Sequence, residues 1–413
     1  MRVNTINFEK KRFAFISFLK VLTILYIALY NTLKLFFTKK ANIRVMSTYG
    51  FICLGLIGGS VARAIREKQP DAVIIAYNRS RSSLEEALSD GVVNKAVFQE
   101  DFEKEGFSAF SECDYIFLCA PVQKNEEFLE MLKPVISSSC IITDVGSVKT
   151  GIHKAAERLG MESNFIGAHP MAGSERVGYT NSKSSILQNA YYIITPTDKV
   201  PSEKVDEYKA LVESFDSIPL ILTYEQHDYI VAGISHLPHL IAASLVNLVK
   251  DSDSKEGIMK LVAAGGFKDI TRIASSSSDM WEQICMENTD NIKKLLEDYI
   301  DSLKSIDASL SEHKGNDIHE LFDTAREYRD SFTTVGSGPI KVNYRLFVDI
   351  ADEPGALATI ATLLATRGIS IKNIGIIHNS EYQGGNMRIE FYTQEELDTA
   401  AHVLESKRYT VHF

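Results

Sequence analysis

Tyr49-Gly50-Phe51-Ile52-Cys53-Leu54-Gly55-Leu56-Ile57-Gly58-Gly59-Ser60 is the stretch that decides the fold. Its first six residues form a short apolar run, the glycines make a turn, and a helical pattern follows to about Lys68. Residues 71–77 read as the next strand, so the segment is a βαβ unit of about 30 residues, the context a dinucleotide fingerprint requires. In Gly-x-Gly-x-x-Gly the middle glycine admits the pyrophosphate and the last lets helix and strand pack closely. Gly55 and Gly58 take these places, and Cys53 stands where the first glycine would be.

Beyond the second strand an acid would bond the ribose of NAD. The chain has Asn78-Arg79-Ser80-Arg81 instead. Two guanidiniums suit a 2′-phosphate, which favours NADP, with NAD as the alternative. Residues 115–119 form another buried strand, ending at Ala120-Pro121. Residues 140–144 form a further one, ending at Val145-Gly146-Ser147-Val148-Lys149. Ligands of an open parallel sheet sit beyond the carboxyl ends of its strands. The expected cofactor contacts are therefore Gly55, Leu56, Ile57, Gly58, Asn78, Arg79, Ser80, Arg81, Ala120 and Pro121.

The chain has 413 residues and a net charge of −10, from 44 basic and 54 acidic side chains. Residues 1–45 hold nine of the basic residues and one acid, Glu9, so residues 46–413 carry 35 basic against 53 acidic groups, a net −18. Nucleic-acid binding needs a basic surface that displaces counterions, and so acidic a body excludes it. Any anionic substrate must be gripped by a few placed cations.

Residues 13–37 are mostly apolar but contain Lys20 and Lys34 and have basic flanks on both sides. A spanning helix wants about 20 residues with few charges, and Met46-Ser47-Thr48-Tyr49 leads directly into the first strand. The expectation is that residues 1–45 are an extension outside the folded enzyme and that the protein is cytoplasmic, with no membrane partner. Five cysteines (Cys53, Cys113, Cys119, Cys140 and Cys285) without a Cys-x-x-Cys pair point to reduced, buried thiols.

Four further motifs follow the glycine turn in order: Asp144-x-Gly146-Ser147-Val148-Lys149, Gly167-Ala168-His169-Pro170-Met171-Ala172-Gly173-Ser174-Glu175, Ser235-His236-Leu237-Pro238-His239 and Gly265-Gly266-Phe267-Lys268-Asp269-Ile270-Thr271-Arg272. From about residue 49 to 335 the set resembles the prephenate dehydrogenases of tyrosine biosynthesis. The resemblance implies oxidative decarboxylation of prephenate to 4-hydroxyphenylpyruvate. Hydride departure makes the C4 hydroxyl acidic, and a neutral imidazole with a pKa near working pH is a natural acceptor. The resemblance makes His169 that base and places Ser147 beside substrate or nicotinamide. It gives Arg272 the substrate carboxylate, which a planar fork can grip with two hydrogen bonds. His239, Ser235, Glu175, Gly265, Asp269, Trp281 and Asp228 complete the implied substrate pocket.

His236 and His239, three apart, could be read as metal ligands, but no third ligand at a recognised spacing joins them and no metal is expected. Hydrolysis through Ser147 lacks a Gly-x-Ser-x-Gly elbow. Helical patterns over 205–215, 227–248, 255–273 and 280–312 mark a change of character, and 230–248 is apolar on nearly every face, as in a buried helix. The resemblance implies an intertwined helical homodimer here.

Gly336-Ser337-Gly338-Pro339 reads as a linker. Strand, helix, strand, strand, helix, strand follow, an order similar to an ACT domain, with Asp352-Glu353-Pro354-Gly355-Ala356-Leu357 as its first loop. Asp352, Pro354, Gly355, Ala356 and Leu357 are then the implied effector site, with feedback inhibition by L-tyrosine. The expected organisation is an extension over 1–45, an α/β Rossmann-type dinucleotide domain over 46–198 and an all-α substrate and dimerisation domain over 199–335. A linker over 336–342 and an α+β ACT domain over 343–413 complete it. Arogenate in place of prephenate, or a non-catalytic amino-acid sensor, are the competing readings.

Overall fold

The computed structural model describes residues 47–173, 176–334, 344–351, 353–378 and 384–412. The extension 1–45, Glu175, the linker 336–342 and Asp352 lie outside the described residues. The chain divides into two compact units, Met1–Lys304 and Ser305–Phe413.

The first unit begins with β1 (Thr48–Ile52), α1 (Leu56–Lys68), β2 (Val73–Tyr77), α2 (Arg81–Ser89), β3 (Lys95–Val97) and α3 (Gln99–Glu105). It continues through β4 (Tyr115–Leu118), α4 (Val122–Leu132), β5 (Ile141–Asp144), α5 (Thr150–Leu159), β6 (Phe165–Pro170), β7 (Tyr191–Pro196), α6 (Ser202–Ser214) and β8 (Ile218–Ile221). The strands form one sheet in the order β3-β2-β1-β4-β5-β6-β7-β8, with only the β6–β7 pairing antiparallel.

Neighbouring residues along these strands enter two different cores. Phe51, Ile74 and Phe117 belong to one, Ile52, Ile75 and Ile116 to the other. A sheet covered on both faces needs apolar side chains at every position, which is why its strands read as unbroken apolar runs.

The sheet continues past residue 198, so the boundary expected there is misplaced. α6 and β8 extend it, and β8 pairs in parallel with β7. The tetrapeptide Ile-Pro-Leu-Ile is a half-exposed edge strand, and a proline in so short a run conceals the strand signal.

A long helical run follows: α7 (Tyr224–Val231), a π-helical turn (Ala232–His236) and α8 (Leu237–Ser252). Its burial on every face, expected from the sequence, is not met within one chain, since Ile234 and Leu248 are exposed. The expected helix over 255–273 is divided into α9 (Ile258–Val262), α10 (Gly265–Thr271) and a 3-10 turn (Arg272–Ser275). Gly257, at φ 68, sets the start of α9. The helix expected over 280–312 breaks at Asn288 into α11 (Ser278–Glu287) and α12 (Thr289–Ser311).

The second unit holds α13 (Gly315–Thr334), β9 (Tyr344–Ala351), α14 (Ala356–Ala365), β10 (Asn373–His378), β11 (Gly384–Phe391), α15 (Gln394–Ser406) and β12 (Val411–His412). From β9 onward this is the βαββαβ order of an ACT domain. Its antiparallel sheet runs β10-β11-β9-β12 over a separate core that includes Leu346, Ile360, Leu364, Ile389 and Leu404. Gly355 caps α14 at φ 94, a left-handed conformation that glycine adopts without strain.

Candidate active site

Strand order reverses between β1 and β4, and a crevice opens at their carboxyl ends. Gly55 is the N-cap of α1, with no side-chain cap and no acid in the first turn. A Cβ built on Gly55 would meet nothing within 4 Å. A helix start without a side-chain cap, with open space beside Gly55, fits an anionic pyrophosphate. A Cβ on Gly58 would lie 2.8 Å from Cβ of Cys119 and 2.9 Å from the Cys53 carbonyl, so only glycine lets the helix approach this closely. Cys53 sits at φ 74, the reason a glycine is favoured in the first fingerprint position. Across the crevice the Ala120 N–H donates to Oδ1 of Asn125 at 3.0 Å, and Pro121 caps α4.

At the end of β2 the cations divide. The Arg81 guanidinium donates to Glu100 at 2.8 Å, approaches Glu85 at 3.6 Å and lies 4.2 Å above the Phe98 ring. Arg79 and Ser80 are exposed and Asn78 is half-buried.

A hydrogen-bonded cluster is built where β5, β6 and α7 meet. His169 is on β6, and its Nδ1 lies 2.8 Å from Nε2 of His227. Nδ1 of His227 in turn lies 2.7 Å from Oδ1 of Asp228. The same carboxylate accepts from the backbone N–H of Lys149 and of Thr150, each at 2.8 Å, and from the Thr150 hydroxyl at 2.5 Å. Asp228 thus caps the start of α5 from a different part of the chain and fixes the end of the loop that carries Ser147.

Within that loop Asp144 accepts from the Lys149 ammonium, from the N–H of Gly146 at 2.9 Å and from the N–H of Ala168 at 3.1 Å. Burial, with His227, Lys149 and His236 nearby, holds His169 well below the usual imidazole range and therefore neutral. Burial also lowers His227, against the opposing pull of Asp228. Asp228 lies below its ordinary carboxylate value, because hydrogen bonds from His227 and Thr150 outweigh its burial.

On the helical side Nδ1 of His239 lies 2.8 Å from the Ser235 carbonyl. Its ring stacks on Trp281 with centroids 3.7 Å apart. The Trp281 Nε1–H is buried with no hydrogen-bond partner among the described residues. Buried donors are seldom left unpaired, and this one lies beside the His239 ring. Asn288 links the two halves, donating to the Asp228 carbonyl at 2.7 Å and lying 3.1 Å from Nδ1 of His236.

Of the expected pocket residues, His169, Asp228, Ser235, His239 and Trp281 therefore belong to one cluster, with Ser147 on the loop that Asp228 holds. Arg272 is close enough to His239 to depress its pKa, and the turn Arg272–Ser275 packs against α8. Gly265 and Asp269 lie on the exposed α10, apart from the hydrogen-bonded cluster among the described residues. The sequence reading missed His227 and Asn288. An adjacent His-Asp dipeptide was the available signal for the first, whereas nothing local marked the second.

Residues 61–218 match the family model described as prephenate dehydrogenase, nucleotide-binding domain, and residues 223–324 match the one described as prephenate dehydrogenase, dimerization domain. A prephenate dehydrogenase of Bacillus subtilis is 35% identical over 356 residues, 86% of this chain and 94% of that protein. Among solved structures, a prephenate dehydrogenase from A. aeolicus in complex with hydroxyphenyl propionate and NAD+ superposes with a TM-score of 0.66 at 27% identity, covering 70% of this chain and all of that one. A Synechocystis arogenate dehydrogenase superposes with a TM-score of 0.61 at 29% identity, covering 69% of this chain and 99% of that one.

Proposed function

Because the chain belongs to the prephenate dehydrogenase family, we propose a residue-level account of its oxidation of prephenate to 4-hydroxyphenylpyruvate and CO2. A nicotinamide cofactor, when bound, accepts the hydride from C4 of the ring. Gly55, Leu56, Ile57 and Gly58 hold its pyrophosphate at the start of α1, with Ala120 and Pro121 across the crevice. His169 accepts the proton of the C4 hydroxyl and Ser147 orients that oxygen. Arg272 grips a carboxylate, with His239, Ser235 and Trp281 closing the pocket and Glu175, Gly265 and Asp269 completing it.

The observation that carries this reading is the neutral, half-buried His169 held beside the loop that follows β5. The test is cofactor reduction with prephenate, with arogenate, or with neither. Turnover of prephenate supports the reading, preference for arogenate replaces the substrate, and silence with both favours a sensor.

NADP is favoured by Arg79 and by the missing acid, with Arg81 available only if it leaves Glu100. The exposed apolar side chains of α8 to α10, including Leu248, Leu261 and Val262, would be covered in a homodimer, which light scattering would detect. L-Tyrosine would bind at Pro354, Gly355, Ala356 and Leu357, where the start of α14 offers backbone amides to its carboxylate. Cytoplasmic action is supported by the run Tyr224–Ser252. It is apolar and long enough to span a bilayer, yet it carries the buried, paired His227, Asp228 and His236 in a protein core.

A further inference from the structure

We propose that His227 is a positioning residue that fixes the tautomer of His169, so that Nε2 and not Nδ1 is the basic nitrogen. The inference rests on the reading of His169 as the proton acceptor. It follows from the sequence of contacts Asp228 Oδ1, His227 Nδ1, His227 Nε2, His169 Nδ1, spaced at 2.7 and 2.8 Å.

An ionised carboxylate only accepts hydrogen bonds. Asp228 is engaged by four donors, two backbone N–H groups, a hydroxyl and His227, so the proton between Asp228 and His227 sits on Nδ1 of His227. A neutral His227 then presents a lone pair at Nε2. The proton of the next contact must therefore sit on Nδ1 of His169, which leaves Nε2 of His169 bare.

The proton balance closes within this arrangement. As the hydride leaves C4, the C4 hydroxyl proton passes to Nε2 of His169, giving an imidazolium whose Nδ1–H still donates to His227. That charge faces an uncharged acceptor backed by a carboxylate. When CO2 departs and the ring becomes aromatic, the proton returns to the same oxygen, and no second transfer along the chain is needed. The carboxylate that orients the base also caps α5, so the base and the loop carrying Ser147 are held by one group.

His227 from α7, Lys149 from the loop after β5 and His236 from the π-helical turn all disfavour a charged His169. Lys149 has the same effect on His227, opposed by Asp228 and Asp144. His227 is completely buried and therefore reaches bulk solvent in neither protonation state.

The test uses full-length enzyme with cofactor and prephenate. His227→Leu should lower kcat by roughly 10- to 100-fold, less than the roughly 100- to 10,000-fold that a general base itself contributes, with KM changed less than about threefold. The acidic limb of the kcat/KM profile should move to lower pH, because the imidazolium loses its acceptor. His227→Gln should recover most of the rate, since Oε1 can accept from Nδ1–H. Undiminished kcat with an unchanged profile in the Leu variant, or a Gln variant as impaired as Leu, overturns the proposal. Should the Leu variant not fold, 15N NMR of the wild-type imidazoles decides: a protonated Nδ1 on His169 supports the assignment, and a protonated Nε2 overturns it. His169→Asn addresses the premise separately, since turnover there would remove His169 as base whatever tautomer it adopts.

Discussion

Lys149 and Asp144 form an ion pair closed off from solvent, the lysine 0% and the aspartate 1% exposed. The aspartate is the last residue of β5, and its carboxylate also receives the N–H of Ala168, next to His169. One buried charge pair therefore joins the loop after β5 to the strand that carries His169. Removing one partner leaves an uncompensated charge, which costs about 3–5 kcal/mol. Lys149→Met should lose stability on that scale in urea titration. Adding Asp144→Asn should recover part of it, since Asn still accepts from Ala168. Equal stability of Lys149→Met and wild type would show that the pair is not coupled to folding.

Cys53 holds a left-handed backbone at the turn into α1. Glycine removes that strain, whereas a β-branched residue increases it. Cys53→Val should be less stable than Cys53→Gly by about 1–3 kcal/mol, and it should weaken cofactor binding because the turn sets the start of α1. Thermal melts and cofactor titration of the two variants give the comparison, and equal melting points would contradict it.

Acid should destabilise the first unit before its carboxylates protonate. Burial lowers His153 to about 3 and His236 to about 4, whereas both titrate near 6.5 in the unfolded chain. Between those limits the unfolded state binds more protons, so stability falls as pH drops below about 6.5, by up to about 1.4 kcal/mol per pH unit per histidine. His153→Phe should flatten the slope of unfolding free energy between pH 6.5 and 4. A slope identical to wild type would refute the assignment.

Trp281→Phe keeps a ring to stack on His239 and deletes the unpaired N–H. If that donor serves the substrate, KM for prephenate should rise about 5- to 30-fold, the equivalent of about 1–2 kcal/mol for one hydrogen bond. The melting temperature should not fall, because no bond within the protein is lost. Unchanged KM would assign the tryptophan to packing alone.

The second unit has its own apolar core, so deleting residues 340–413 should leave prephenate turnover in place and abolish the inhibition by L-tyrosine proposed above. Inhibition that persists in the truncated enzyme would locate the effect at the active site.

The sequence by itself determined the dinucleotide fold, because a glycine turn between an apolar strand and a helix is a local pattern, and unbroken apolar strands demand a sheet covered on both faces. It also indicated His169, His239 and Arg272 through motifs that are contiguous in the chain. Local patterns did not extend to the edge strand β8, to the break at Asn288 or to the exposed faces of α8. Pairing with a distant strand, a side chain turned inward and an uncovered apolar surface are properties of the assembled fold. The tertiary structure alone decided that His227 stands between His169 and Asp228. Those groups come from β6 and α7, 58 residues apart for the two histidines, and the tautomer of a base is set by whatever hydrogen-bond partner the fold brings to its other nitrogen.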